Sequence, residues 1–96
     1  MNDLPLFPIP SSGETSVSPL SRDVFSLNCF GINTADRDAI ARFFFIRMQG
    51  RYGAFRFQFE GTELPECRFE EDTGQETRGN IGPHNLGVLI KILRRA

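Results

Sequence analysis

The only thiols and the only imidazole of the chain belong to Cys29, Cys67 and His84. The two cysteines lie far apart in the sequence, and with a single histidine a tetrahedral zinc site would lack ligands. A Cys–His nucleophile would depend on the fold alone, since no local motif marks either thiol as activated. We expect both cysteines to be small buried apolar residues of a protein in a reducing compartment.

Carboxylates are the other groups that could do chemistry, and seven of them fall between residues 60 and 76. They lie among turn-forming residues and lack the apolar frame that separates the pKa values of a catalytic acid and base. The run from Glu70 to Gly74 lacks the alternating spacing of a calcium loop. The chain also has no glycine-rich phosphate-binding motif. These observations predict a protein without enzymatic activity, cofactor or metal.

Charge is distributed unevenly along a chain whose net charge is −1. The acidic segment, residues 60–76, lies between a central basic stretch and a basic C-terminal stretch. Ten of the eleven basic residues are arginine, which favours planar, bidentate contacts. Two interpretations are open: a solvated surface of mixed sign, or complementary patches that meet between copies or partners. The small net charge argues against a nucleic-acid or membrane partner.

Targeting signals are not evident in the sequence. The first ten residues, MNDLPLFPIP, lack the basic region and the unbroken apolar run of a signal peptide. No stretch approaches the ~20 apolar residues of a membrane span. We therefore expect a protein that is made in the cytoplasm and does not enter a membrane.

The elements that would position any site are organised around residues 33–59. Asn33 is a predicted N-cap, whose side chain would accept from the amide three residues on. The Asp36 side chain could in return accept from the Asn33 amide, as in a capping box, although it is shorter than the side chain of glutamate. The pattern predicts one helix over about residues 34–49, ended by Gly50.

The predicted helix carries aromatic residues on two sides. At ~100° per residue, one face is shared by Ala39, Ile40, Phe43 and Ile46. Phe45 points nearly opposite Phe43, and one sheet cannot cover both rings. Either the rest of the chain wraps the helix on two sides, or Phe45 is left for another chain.

Strands are predicted before and after this helix, at residues 22–32, 54–59, 67–69, 75–78 and 86–93. Pro65 predicts irregular backbone from Thr62 to Glu66, and a polar loop and a Gly-Pro turn are predicted at 70–74 and 79–85. The last strand is apolar on both faces, which indicates a central or doubly covered strand.

The order of elements predicts the α+β class: a small antiparallel β-sandwich or split barrel with one packed helix, over residues 22–96. An extended arm, residues 1–21, precedes it and holds four of the six prolines, which excludes it from a central strand. The apolar Leu6, Phe7 and Ile9 leave two alternatives for this arm. It is a frayed terminus, or it docks on its own domain or on a neighbouring subunit.

An RNA-recognition motif is the alternative binding module. Its aromatic strands would correspond to VFSLNCF at 24–30 and RYGAFRF at 51–57, whose rings would stack the bases of single-stranded RNA. Two features argue against it. Only a few residues separate the helix from the second aromatic strand, and no second helix is predicted before the last strand.

From residue 22 to residue 94 the sequence resembles small minor-tail and distal-tail structural proteins of tailed phages and prophages. The resemblance lies in the order of RDVFSLNCF, NTADRDAIARFF, QGRYGAFRF and CRF, followed by an acidic loop, a Gly-Pro turn and an apolar last strand. It implies a non-enzymatic virion component, made in the host bacterial cytoplasm. Such a component would assemble as an oligomeric ring around the tail axis, in contact with other tail proteins.

These features together predict a subunit interface. Its members are apolar side chains of the arm, the outward ring of the helix and two helical arginines: Leu6, Phe7, Ile9, Phe45, Arg42 and Arg47. Such a set would suit a heterologous contact between the subunits of a ring.

Overall fold

The computed structural model describes residues 4–70 and 84–95, and the backbone of residues 75–78. Its elements in chain order are β1 (Glu14–Pro19), β2 (Val24–Ile32), α1 (Thr34–Arg42), a π-helical turn (Phe43–Arg47), β3 (Ala54–Phe59), β4 (Thr62–Phe69), β5 (Gln75–Arg78) and β6 (His84–Arg94). The α+β class predicted from the sequence is confirmed. The predicted loop at 70–74 and turn at 79–85 fall largely outside the described residues.

All of the described strands belong to one antiparallel sheet in the order β1-β2-β6-β4-β3. β6 lies at its centre, because β2 pairs along one side of it while β4 and β5 share the other side. The central position predicted for the last strand is confirmed. It follows that the middle of the sheet joins strands from opposite ends of the chain.

The alternation of buried and partly exposed residues along the strands shows which face of the sheet lies against the core. In β2 the alternating residues Phe25, Leu27 and Cys29 are buried, as the pattern predicts, and their intervening neighbours are partly exposed; Ile32 at the end of the strand is buried as well. Phe25 lies opposite Ile90 and Leu27 opposite Val88 on β6, so both strands place apolar side chains on the same face. The single helix covers this face together with the N-terminal arm.

Phe7 is the centre of the aromatic core, with only 1% of its surface exposed. Its ring centroid lies 5.6 Å from that of Phe43 on the π-helical turn and 5.9 Å from those of Phe55 and Phe57 on β3. A fourth ring, Phe69 on β4, is 6.2 Å away. Because aromatic pairs at these separations add to the free energy of burial, the arm contributes directly to stability.

The arm is held along the outer edge of β3 by main-chain hydrogen bonds. The Phe7 amide donates to the Arg56 carbonyl, and the Arg56 amide donates to the Pro5 carbonyl, each at 2.8 Å. Leu6 and Arg56 thereby form a parallel bridge. A frayed arm, one of the two alternatives, is therefore wrong, because this part of the arm docks on its own domain.

The second half of the predicted arm forms β1, a strand that the sequence analysis did not predict. β1 pairs with β2 from Glu14 to Pro19 and lies at one end of the strand order. Proline is tolerated there because an edge strand needs partners on one side only. Most of the β1 side chains are exposed, so the strand has no apolar alternation by which it could be recognised.

Ser12 joins the arm to the start of α1. The Asn33 side chain accepts from the Asp36 amide at 2.8 Å, which confirms the predicted N-cap. In a capping box the Asp36 carboxylate would accept directly from the Asn33 amide. Here Ser12 lies between them: the Asn33 amide donates to the Ser12 hydroxyl, and this hydroxyl donates to the Asp36 carboxylate. The inserted hydroxyl thus supplies the reach that the short aspartate lacks.

Gly13 directly follows Ser12 and has a φ of +65°. A Cβ atom at this position would lie 2.2 Å from the Phe30 carbonyl oxygen. Glycine is therefore required on both grounds for the arm to enter β1.

β4 begins five residues earlier than the predicted strand, and the irregular backbone expected from Thr62 to Glu66 is wrong. On β3, Phe55 and Phe57 are two residues apart, but their partners on β4, Cys67 and Leu64, are three apart. The extra residue is a β-bulge at Pro65 and Glu66, opposite Arg56. A bulge is one of the few places where a sheet accepts proline, so the strand continues through it.

The β3–β4 hairpin closes through a two-residue turn, because Phe59 pairs with Thr62. Glu60 and Gly61 have φ values of +49° and +84°. Hairpin turns of this kind favour asparagine, aspartate or glycine at the first position. Glutamate at position 60 is therefore held in a conformation that its type rarely adopts.

Replacing Phe7 by alanine should destabilise the domain by about 3–5 kcal/mol, because a fully buried ring is lost from the core. The neighbouring Leu6 is nearly half exposed, so Leu6→Ala should cost much less and serves as the matched control. Urea unfolding followed by circular dichroism measures both. Equal losses for the two variants would contradict the central place of Phe7.

Replacing Ser12 by alanine should change how stability depends on pH. Its hydroxyl, more than any other group, holds the pKa of Asp36 below its ordinary value of 3.8. A carboxyl whose pKa is lowered by folding stabilises the native state above the ordinary pKa, and the contribution is lost as the pH falls through the lowered value. Ser12→Ala should therefore be less stable at neutral pH and lose less stability below about pH 4.

Ser11→Ala is the control for this experiment, because Ser11 is exposed and the substitution keeps the backbone amide that also faces Asp36. Urea midpoints at neutral and acidic pH compare the three proteins. If both variants followed the wild-type curve, the bridging role of Ser12 would be refuted.

Candidate protein-interaction surface

The helical segment changes its repeat at Phe43, where α1 passes into the π-helical turn. The Met48 amide donates to the Phe43 carbonyl at 2.9 Å, a bond that spans five residues in place of four. Turns of this type are rare and occur often at functional sites. The wider repeat changes which side chains face the sheet over the last part of the segment.

The π-helical turn buries Phe43, Phe44 and Met48 and leaves Phe45 and Ile46 outside. Phe45 is 56% exposed and Ile46 is 69% exposed. The predicted inward position of Ile46 is wrong, because that prediction extended the α-helical angle of 100° through a segment that does not keep it. Of the two alternatives for Phe45, wrapping of the helix on both sides is wrong, because this ring stays more than half exposed. Two large apolar side chains therefore lie side by side in solvent.

A groove of about 550 Å³ separates this turn from the docked arm. The arm contributes Pro5, Leu6 and Pro8, and the helical segment contributes Ala39, Arg42, Phe43, Ile46 and Arg47. We call Leu6, Arg42, Phe45, Ile46 and Arg47 together the π-turn surface. The groove needs the docked arm, because the arm forms one of its walls.

Three of the six predicted interface residues, Leu6, Arg42 and Arg47, line this groove. Phe45 lies next to Ile46 in the same exposed turn. Phe7 does not belong to the surface, because its ring is sealed in the core of its own chain. Ile9 is partly buried and packs against that core. The missed member is Ile46, and no sequence signal marks the change of helical repeat that exposes it.

Arg42 and Arg47 line the groove together with Leu6 and Ile46, and both arginines are exposed. Neither forms an ion pair with another residue in the described part of the chain. Exposed aromatic and aliphatic side chains beside arginine are typical of the energetic centres of protein interfaces. The arrangement can bind a partner that presents an apolar side chain with carboxylates around it.

The side chains of Cys29, Cys67 and His84 are all buried in the fold. Cys29 and Cys67 are both buried, and burial is the main cause that raises the pKa of each thiol, for Cys67 to about 12. His84 is also buried, and its Nε2 atom lies 3.2 Å from the Thr34 hydroxyl. Within the described residues, no group of three or more potential ligands could hold a metal ion.

The second of the two aromatic segments of the RNA-binding alternative includes most of β3. Phe55 and Phe57, its two central rings, are both buried in the core. Bases stack on rings that are exposed on a sheet, so β3 gives this alternative no support.

Comparison of the sequence with protein-family models, with curated proteins and with solved structures finds no match. In the described part of the chain, no helix is long and apolar enough to cross a membrane.

Neither thiol should react with a colorimetric thiol reagent in the native protein at pH 8, because both are buried and their pKa values are raised. Both should react fully once urea unfolds the chain. A Cys29→Ala variant, which retains only Cys67, separates the two signals. Rapid reaction of either thiol in the folded protein would contradict this assignment.

Proposed function

We propose that this chain is a non-enzymatic assembly protein that binds a neighbouring protein through the π-turn surface. The observation that carries the proposal is the exposure of two successive apolar residues, Phe45 and Ile46, the second of which shares a groove with Arg42 and Arg47. The partner is expected to fill the groove with an apolar side chain and to meet the arginines with carboxylates.

The energetics favour an interface over a solvated turn. Burying a phenylalanine or isoleucine side chain contributes roughly 1.5–3 kcal/mol, so the pair could supply several kcal/mol to an association. Eight of the ten phenylalanines are buried or partly buried, so the fold removes most of its aromatic rings from water. Phe45 and Phe30 are the two exceptions, and Phe45 is the more exposed of them and has an exposed neighbour in Ile46.

The setting we propose is the tail of a phage or prophage particle, with other tail proteins as partners and a homo-oligomeric ring as the assembly. This part of the proposal is supported by the order of sequence segments between residues 22 and 94. An interaction surface on a small domain is compatible with it. The protein would be made in the bacterial cytoplasm and reside in the virion, and no cofactor is required.

We also propose that the sheet forms a split barrel and not a β-sandwich. The Phe25 and Phe57 rings are 5.1 Å apart although β6 and β4 lie between their strands in the sheet order, which requires strong curvature. A groove of about 520 Å³ is lined both by β1 residues and by residues of the β3–β4 hairpin. Such a groove is what a barrel leaves where its two outer strands approach without pairing.

A Phe45→Ser substitution tests the proposal. The variant should fold with nearly unchanged stability but fail to enter purified tail particles, because only the exposed ring is removed. Phe44→Ser is the matched control: its ring is buried 4.8 Å from that of Phe45, so it should lose stability by a few kcal/mol.

Urea unfolding measures stability, and immunoblotting of gradient-purified particles measures incorporation. A wild-type protein that is absent from particles would refute the tail setting. Normal incorporation of a stable Phe45→Ser variant would refute the role of the π-turn surface.

A further inference from the structure

A basic cleft of about 430 Å³ lies at the base of the β3–β4 hairpin and shares no residue with the π-turn surface. It is lined by Arg51, Tyr52, Arg68, Phe69, Glu70, Lys91 and Leu93. Arg68 on β4 and Lys91 on β6 are direct cross-strand partners. Like charges directly opposite each other destabilise a sheet, so an anion bound between Arg68 and Lys91 would relieve their repulsion.

Among the described residues that line this cleft, three carry positive charge and only Glu70 carries negative charge. Arg51, Arg68 and Lys91 are exposed, and none forms an ion pair with another described residue. Tyr52 is 83% exposed beside them, and Leu93 is exposed as well. Arginine, tyrosine and an aliphatic side chain in one concave site are a composition that protein interfaces favour.

The opposite end of the same hairpin is acidic. Glu60 and Glu63 are exposed at its tip, and neither forms an ion pair within the described residues. The tip is narrow because a two-residue turn closes it, and Glu60 is held there at a φ of +49°. We call these two residues the acidic tip.

The acidic tip cannot reach the basic cleft of its own chain. Ala54 pairs with Arg68 at the cleft end of the hairpin, and Phe59 pairs with Thr62 at the tip. Six strand residues separate the two ends by about 17 Å at ~3.3 Å per residue, which is far beyond the reach of an ion pair. Their complementary charges can meet only between two copies.

We propose that the acidic tip of one copy docks in the basic cleft of the next copy, head to tail. Glu60 and Glu63 would pair with Arg68, Lys91 and Arg51, while Tyr52 and Leu93 provide apolar contact at the rim. Such a contact uses two different surfaces of each subunit, so repetition generates a ring or a filament. The inference rests on the proposed assembly function and names a second copy as one partner.

The cleft favours a protein tip over nucleic acid. Glu70 lines the cleft beside the three cations and would repel a phosphate backbone. A hairpin tip brings two carboxylates where a nucleic-acid strand brings a run of phosphates, so Glu70 opposes the strand more strongly than the tip.

Charge reversal tests the contact. The cleft variant carries Arg68→Glu and Lys91→Glu, and the tip variant carries Glu60→Arg and Glu63→Arg. Sedimentation velocity at low salt should show self-association for the wild type, weakened about tenfold or more in each variant, and reduced by added salt. Glu14→Arg, which reverses an exposed charge on β1, is the control and should associate like the wild type.

Mixing the two variants provides the decisive measurement. The intact tip of the cleft variant should dock in the intact cleft of the tip variant, and the reversed tip should meet the reversed cleft with opposite charge, so mixing should restore association. Association that persists in either variant alone, or a mixture that stays monomeric while each variant is folded by circular dichroism, would overturn the proposal. So would loss of binding to a labelled single-stranded oligonucleotide in the cleft variant with self-association unchanged.

The two proposals fail separately. A wild-type protein that is monomeric at low salt, but whose Phe45→Ser variant is still missing from particles, would overturn the head-to-tail contact alone. Self-association lost in both charge variants, together with normal incorporation of Phe45→Ser, would overturn the role of the π-turn surface and keep the head-to-tail contact.

Discussion

The packing of Phe7 against the rings of the π-helical turn, β3 and β4 is the contact on which the rest of the structure depends. One curved sheet and one short helix leave an apolar space that neither element fills. A ring from the beginning of the chain fills it and holds the arm along the outer edge of β3. The covered edge, the groove beside the helix and the capping of α1 by Ser12 all follow from this placement.

Sequence patterns predict the features that depend only on residues close together in the chain. The N-cap at Asn33 is a matter of a few neighbouring residues, and the buried face of β2 follows from strict alternation. The central place of β6 was also predictable, because apolar residues on both faces of a strand indicate that both faces are covered. These features needed no knowledge of distant parts of the chain.

The errors arose where distant parts of the chain decide. Proline usually ends a strand, but a bulge opposite Arg56 accepts Pro65. The sequence predicts Ile46 on the inner face because no residue type marks a π-helical turn. It predicts Phe7 at an interface because only the assembled sheet shows that this ring fills the core. For the same reason the basic cleft was missed, since Arg68 and Lys91 become neighbours only through the pairing of β4 with β6.

The position of β6 has a consequence for how the chain folds. β2 and β6 are sequence-distant neighbours, and β4 and β5 also pair with β6, so most of the sheet's ladder involves the last of the described strands. Contacts between remote segments slow folding because long loops must close first. On the ribosome, β2 therefore emerges well before β6, and the inner edge of β2 has no partner until β6 has been synthesised.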